Sequence, residues 1–157
     1  MNDRPAAPPA PAPARASARR PAVHSRFRGL RAAAFDARCL AMLAVMRIAL
    51  STIGYAAIRR RMPRPGGRPD SHFWARQVAR RIERLARFVP GASCLTQALT
   101  LQFVLARRGH ASRLQIGVRK RFDGAFSAHA WVTCNDRVVL GQRGTQLADF
   151  TPIAELG

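Results

Sequence analysis

Hydrophobic positions along this chain change their spacing twice, and each change marks a different kind of element. From Phe35 to Met62 apolar residues crowd every side of a predicted helix. Within it, "CLAMLAVMRIALSTIGYAAI", Cys39 to Ile58, carries Arg47 as its only charge. After "MPRPGGRPDS", 62–71, a linker rich in Pro and Gly that ends in a helix N-cap signal, the apolar residues narrow to one stripe. Trp74, Val78, Ile82, Leu85 and Val89 recur at helical spacing and predict a helix from His72 to Val89. Its other face carries Arg76, Arg80, Arg81 and Arg84, and "PG" at 90–91 ends it. A further helix follows, with Ser93 as N-cap, Cys94 in the first turn, Leu95, Leu99, Phe103 and Leu105 on its apolar face, and Gly109 as its stop.

Beyond Gly109 the period falls to two. In "SRLQIGVRK", Leu114, Ile116 and Val118 alternate with Arg113, Gln115 and Gly117, the signature of a half-buried strand. "RFDGAF" carries a turn, and "SAHAWVTC" and "RVVLGQ" flank "ND" as the arms of a hairpin. Helices followed by a small antiparallel sheet give an α+β class. The organisation expected is a tail over 1–34, an apolar helix over 35–62, a linker over 63–71 and one α+β domain over 72–157.

Composition changes this picture at three points. Residues 1–25 are Pro, Ala and Arg with almost no large apolar side chains, so they cannot bury enough surface to offset ordering entropy, and a disordered tail is expected. The Cys39–Ile58 stretch approaches membrane-spanning length, about 20 residues, yet a charge at Arg47 is costly near the middle of a bilayer. A helix buried against the domain and a helix held at a membrane surface by the "RRR" of 59–61 both fit. The formal charge of +19 invites a nucleic-acid reading. However, Lys120 is the only lysine among 27 basic residues, a bias that also arises from the codon usage of a GC-rich genome. Aromatic–basic interleaving is lacking as well, and nucleic acid is not an expected partner.

The three cysteines, Cys39, Cys94 and Cys134, form no CxxC and match neither a disulfide framework nor a zinc site, so no metal is expected. With no clear secretory signal a reducing cytoplasm is the default location, where free thiols persist. Cys39 lies within the apolar helix and reads as structural; Cys134, at the hairpin end, has no evident base. Cys94 is different. It stands at the positive end of a helix, where a thiolate nucleophile is favoured, and beside backbone N–H groups that have no helical acceptor. His129 supplies a general base if its strand crosses that helix end. Both residues also fit as plain core residues. Gln97 lies one turn after Cys94 on the same face, as an oxyanion donor, a substrate contact or a packing residue. Trp131 shares the face of His129 by alternation.

"VPGASCLTQALTLQFVLARRGHASRLQIGVRK" followed by "AHAWV", "RVVLG" and the terminal "FTPI" resembles the lasso-peptide maturation B proteins, leader peptidases of a transglutaminase-like, papain-type cysteine protease lineage. The resemblance covers about residues 72–155. It implies that Cys94 and His129 are the nucleophile and base that cut the leader from a ribosomally made precursor peptide. It implies no cofactor in this chain; any ATP would enter through an asparagine-synthetase-like cyclase that closes the macrolactam. Residues 1–90 show no strand-rich block able to form the winged-helix module that grips leaders in these pathways, so a separate leader-binding protein is expected.

The third catalytic member departs from the pattern. The family often places an aspartate just beyond the second hairpin strand, where this chain has Gly141. If Asn135 and Asp136 form a two-residue turn, Cys134 pairs with Arg137 and His129 faces Gln142, whose amide oxygen can hold an imidazole tautomer. Asp149, returning by a loop, is an equal candidate. The arginine face of the 72–89 helix is either a solvated surface or a contact for an acidic leader or a partner.

Overall fold

Helix formation begins earlier than hydrophobicity alone predicts. In the computed structural model, which describes residues 23–66, 68, 72–142 and 146–156, α1 runs Val23–Thr52. Part of the expected tail is therefore helical. "RFRGLRAAAFDAR" has few large apolar groups, but Ala and Arg are strong helix formers. The rest of the tail, 1–22, lies outside the described residues. The helix expected over 35–62 is two helices. Gly54, at φ +75°, breaks the run after Thr52, and α2 continues as Gly54–Arg61.

Helix α3 spans His72–Ala86 and closes in turns at Phe88 and Val89 ahead of Pro90, a little short of the expected end. Helix α4 spans Cys94–Arg107. The strands are β1 (Arg113–Lys120), β2 (Phe126–Cys134), β3 (Arg137–Leu140) and β4 (Thr151–Leu156). They form one antiparallel sheet in the order β3-β2-β1-β4, which makes the protein α+β. The two-residue hairpin turn is present: Asn135 (φ 47°) and Asp136 (φ 58°) both take the left-handed conformation that such a turn requires.

The core is built around α4. A single apolar stripe is expected there, but Ala98, Leu99, Leu101 and Leu105 are buried on several sides, and Thr96 and Thr100 are buried with them. The two hydroxyls are satisfied locally. Thr100 donates to the Thr96 carbonyl at 2.8 Å, and Thr96 pairs with the Ser93 hydroxyl at 3.2 Å. Val78, Ala79 and Ile82 of α3, Leu43 and Met46 of α1, and Leu114, Ala130, Val132 and Leu140 of the sheet complete one cluster. Each fully buried Leu or Ile contributes about 1.5–3 kcal/mol.

The apolar part of α1 is thus buried on one side, while Val45 and Ile48 face outward. Among the described residues no helix is long and apolar enough to cross a membrane. Arg47 bonds the Ser51 hydroxyl and lies under the loop ahead of α4. A Cβ on Gly91 would stand 2.7 Å from Arg47 Nε, so a glycine with φ +72° is needed there.

Candidate active site

Cys94 is the first residue of α4, and a short loop from α3 delivers it. Ser93, the N-cap, is extended (φ −68°, ψ 171°) and its hydroxyl accepts from the Thr96 N–H. The Gln97 N–H is taken by the Ser93 carbonyl. Those of Cys94 and Leu95 have no acceptor among the described residues, so they are donors free to meet developing negative charge. Gln97 holds the loop by donating one amide hydrogen to the Ala92 carbonyl at 3.2 Å; its second hydrogen is available. The thiol is free and half-buried, whereas Cys39 and Cys134 are free but buried.

His129 lies on β2 and is also half-buried. The ladder between β2 and β3 stops at Val132↔Leu140, so β2 has lost that neighbour by the time it reaches His129. A cleft of about 730 Å³ opens there. Cys94, Gln97, His129, Leu140 and Gly141 line it on one side, and α3 supplies the other wall.

The histidine is fixed through its second nitrogen. Nε2 lies 2.7 Å from the carbonyl oxygen of Gly141. A carbonyl only accepts, so Nε2 carries the hydrogen and Nδ1 is left as an acceptor. The register behind this contact differs from the expected one. A bulge between Val132 and Thr133 makes Thr133 pair with Val138 but Val132 with Leu140. The extra residue, Val139, shifts the strand end, and His129 does not face Gln142. Gly141, at φ +94°, is pressed against β2: a Cβ there would lie 2.8 Å from Trp131 Cβ and 2.9 Å from the Ala130 oxygen. No aspartate side chain fits at this position with the backbone as it stands.

Two aromatic rings fix the imidazole plane. Trp131 stacks beside it, with centroids 6.3 Å apart and 20° between planes. Phe150 lies 5.6 Å away at 45°. Trp131 is buried, and its indole N–H donates to Gln115 on β1. Both rings need Gly117, the cross-strand partner of His129. A Cβ on Gly117 would meet Trp131 Cη2 at 2.9 Å and Phe150 Cβ at 3.0 Å. Gly117, Phe150 and the Gly141 carbonyl are the site's components that sequence reasoning did not single out. A glycine between Ile116 and Val118, inside a strand, is the signal from which a close approach could have been read.

The remaining candidates lie elsewhere. Gln142 is exposed and lines a separate depression with Arg76, Arg80, Glu83, Val138 and Val139. Asp149 ends a 3₁₀ turn, Leu147–Asp149, and accepts from Arg119 at 3.3 Å. Arg119 in turn covers the Phe150 ring at 4.9 Å, so Asp149 meets the site only through that stack. The opposite cleft wall is charged. Arg80, Arg81, Arg84 and Arg87 line it together with Glu83, so the arginine face of α3 looks onto the Cys–His pair. Cys39 is set apart chemically as well: burial, and secondarily the Asp36 carboxylate, push its thiol pKa up.

Comparison with curated proteins and with solved structures returned no match. A family profile described as the transglutaminase-like superfamily matches residues 39–155. The matched span takes in the C-terminal part of α1, from Cys39 on, all of α2 to α4, and the sheet up to Glu155 of β4. With a cysteine opening the central helix and a histidine on the sheet beyond it, the chain belongs to the transglutaminase-like superfamily, whose members include cysteine peptidases and acyltransferases.

Proposed function

We propose that this protein is the cysteine peptidase that removes the leader from a ribosomally made lasso-peptide precursor before macrolactam closure. The observation that carries the reading is the shared cleft of Cys94 and His129, with His129 Nε2 committed to the Gly141 carbonyl. His129 Nδ1 takes the thiol proton as Sγ attacks the scissile carbonyl carbon. The oxyanion so formed is met by the first-turn N–H groups of α4 and by the second amide hydrogen of Gln97. The tetrahedral species collapses with loss of the amine, which receives the proton from His129. Water, deprotonated by the same Nδ1, then hydrolyses the thioester and frees the leader carboxylate and the thiol.

Leader recognition belongs, in this reading, to a separate winged-helix protein. An asparagine-synthetase-like cyclase takes the trimmed product, and any ATP requirement is the cyclase's. The reaction runs in the cytoplasm, where thiols stay reduced.

A second reading has a specific observation behind it. A backbone carbonyl stands where the family pattern has an aspartate, and a carbonyl gives an imidazolium less support than a carboxylate does. The chain would then be a noncatalytic scaffold of the maturation complex. The deciding test is mass spectrometry of a candidate precursor incubated with this protein and a leader-binding partner. Wild type is run beside Cys94→Ala and His129→Ala, with folding followed by circular dichroism. Leader release by wild type alone is expected. Equal release by all three would sink the nucleophile assignment. No release with a competent partner would favour the scaffold. A product joined to an added amine instead of a free carboxylate would mark an acyltransferase.

A further inference from the structure

The wall facing the Cys–His pair is built from a row of three arginines. Arg80, Arg84 and Arg87 are exposed and line the same cleft: Arg80 and Arg84 lie one turn apart on α3, and Arg87 follows in the turn that closes the helix. At ~1.5 Å rise per residue Arg80 and Arg84 stand about 6 Å apart along the axis, and Arg87 carries the row past the helix end to roughly 10 Å. The ion pairs among the described residues join Arg81 to Asp36, Arg113 to Asp136 and Glu155, Arg119 to Asp149, and Arg121 to Asp123. None of them involves Arg80, Arg84 or Arg87. Arg81, although it lines the same cleft, is held by Asp36 at 2.6 Å, and Glu83 is the only carboxylate on the wall. The cleft therefore concentrates positive charge directly across from the thiol.

The geometry points to an acidic peptide segment as the occupant of this wall: Arg80, Arg84 and Arg87 select substrates with carboxylate side chains near the bond that Cys94 attacks. This deepens the peptidase reading and rests on it for the position of the scissile bond. An extended chain advances ~3.3 Å per residue, so the row runs alongside about three residues. Side chains of an extended segment point alternately to its two sides, and two acids separated by one residue face the same way. Guanidinium groups at this spacing then meet both carboxylates, in the forked geometry that arginine favours over lysine. Since the whole chain is strongly basic, general attraction of anions has to be separated from recognition by this row.

The probes are fluorescein-labelled synthetic peptides of equal length, identical except for a central Asp-Ala-Asp or Asn-Ala-Asn. Their binding to full-length Cys94→Ala protein is read by anisotropy at low and at high salt. The Asp peptide is expected to bind about tenfold tighter at low salt, with most of the difference lost at high salt. Adding Arg80→Gln, Arg84→Gln and Arg87→Gln together should bring the Asp peptide to the level of the Asn peptide. The charge-matched control Arg60→Gln, Arg61→Gln and Arg64→Gln, exposed positions around the end of α2, should keep the preference. Equal binding of the two peptides overturns the inference. So does a preference that survives in the α3 triple variant, or one that falls as far in the control. Cleavage of the same peptides by wild type is scored separately: an acidic preference in binding without cleavage strikes the peptidase reading and leaves the recognition row standing.

Discussion

His129 donates its Nε2–H to the main-chain carbonyl of Gly141 at 2.7 Å. The imidazole is therefore oriented by a dipole that no side-chain substitution can remove, only displace. Neutral His129 is expected to be the Nε2–H tautomer, and ¹⁵N chemical shifts of the labelled imidazole check this directly. Gly141→Asp supplies the carboxylate that the sequence resemblance leads one to expect but forces a side chain onto Trp131 and the Ala130 carbonyl. Strain at a positive φ and overpacking should cost about 1–3 kcal/mol in urea unfolding. Leader cleavage should fall by at least ~10-fold through misplacement of the ring. Wild-type or higher activity would show that the carbonyl contact is incidental.

Alkylation distinguishes the three thiols. Iodoacetamide at neutral pH should modify the native protein once, at Cys94, and should abolish cleavage in step with labelling. Cys39 and Cys134 are 2% and 1% exposed and should react only after denaturation. Peptide mapping of the labelled protein reads the outcome; early labelling of Cys134 would contradict the packing described for the sheet.

Gly117→Val tests the aromatic support of the base. The new methyl groups would enter the space of Trp131 and Phe150, so a loss of about 1–3 kcal/mol in stability is expected. Because these rings align the imidazole and are not the cleft wall, kcat should drop more than KM rises. Steady-state kinetics on a peptide substrate would separate the two, and an unchanged kcat would remove Trp131 and Phe150 from the positioning role.

Stability should decline on the alkaline side. Burial raises the pKa of both Cys39 and Tyr55 above their ordinary values. Both groups thus hold their protons more tightly folded than unfolded, and the stability this contributes is complete below the unfolded pKa values. It is lost as pH climbs past about 8.5 for the thiol and about 10 for the phenol. Urea midpoints measured from pH 7 to pH 10.5 should fall. In Cys39→Ala the fall should begin later, and an identical profile would mean that the thiol does not contribute.

Much of the site was legible because it is local. Ser93, Cys94 and Gly109 mark α4 by capping chemistry that depends only on neighbours in sequence, and alternation put His129 and Trp131 on one face. The type of the hairpin turn followed from Asn135 and Asp136 alone. Its register did not, since the bulge at Val139 answers to how β3 packs on the helices and not to the turn. The helical state of 23–34 was hidden because hydrophobicity, the signal used there, is silent about Ala-rich propensity. The helix predicted over 35–62 ran through Gly54 without a stop, yet the φ of that glycine shows a break. The arginine face of α3 was visible in the spacing. That it fronts the Cys94 cleft depends on tertiary placement, which spacing does not encode.

Arg47, deep in the apolar stretch of α1, sits under Gly91 in the loop that leads to Cys94. The change in composition at 63–71, which looks like a seam between an appendage and a domain, is therefore not a seam in stability. A protein shortened to begin at His72 would expose the sides of α3 and α4 that Leu43 and Met46 cover, and would leave the loop before Cys94 without its floor. Because α1, α3, α4 and the sheet share one core, a cut at Pro63–Pro65 is expected to yield two fragments that copurify and unfold together. For anyone trimming the protein for expression, the safe edge lies before α1, not after it.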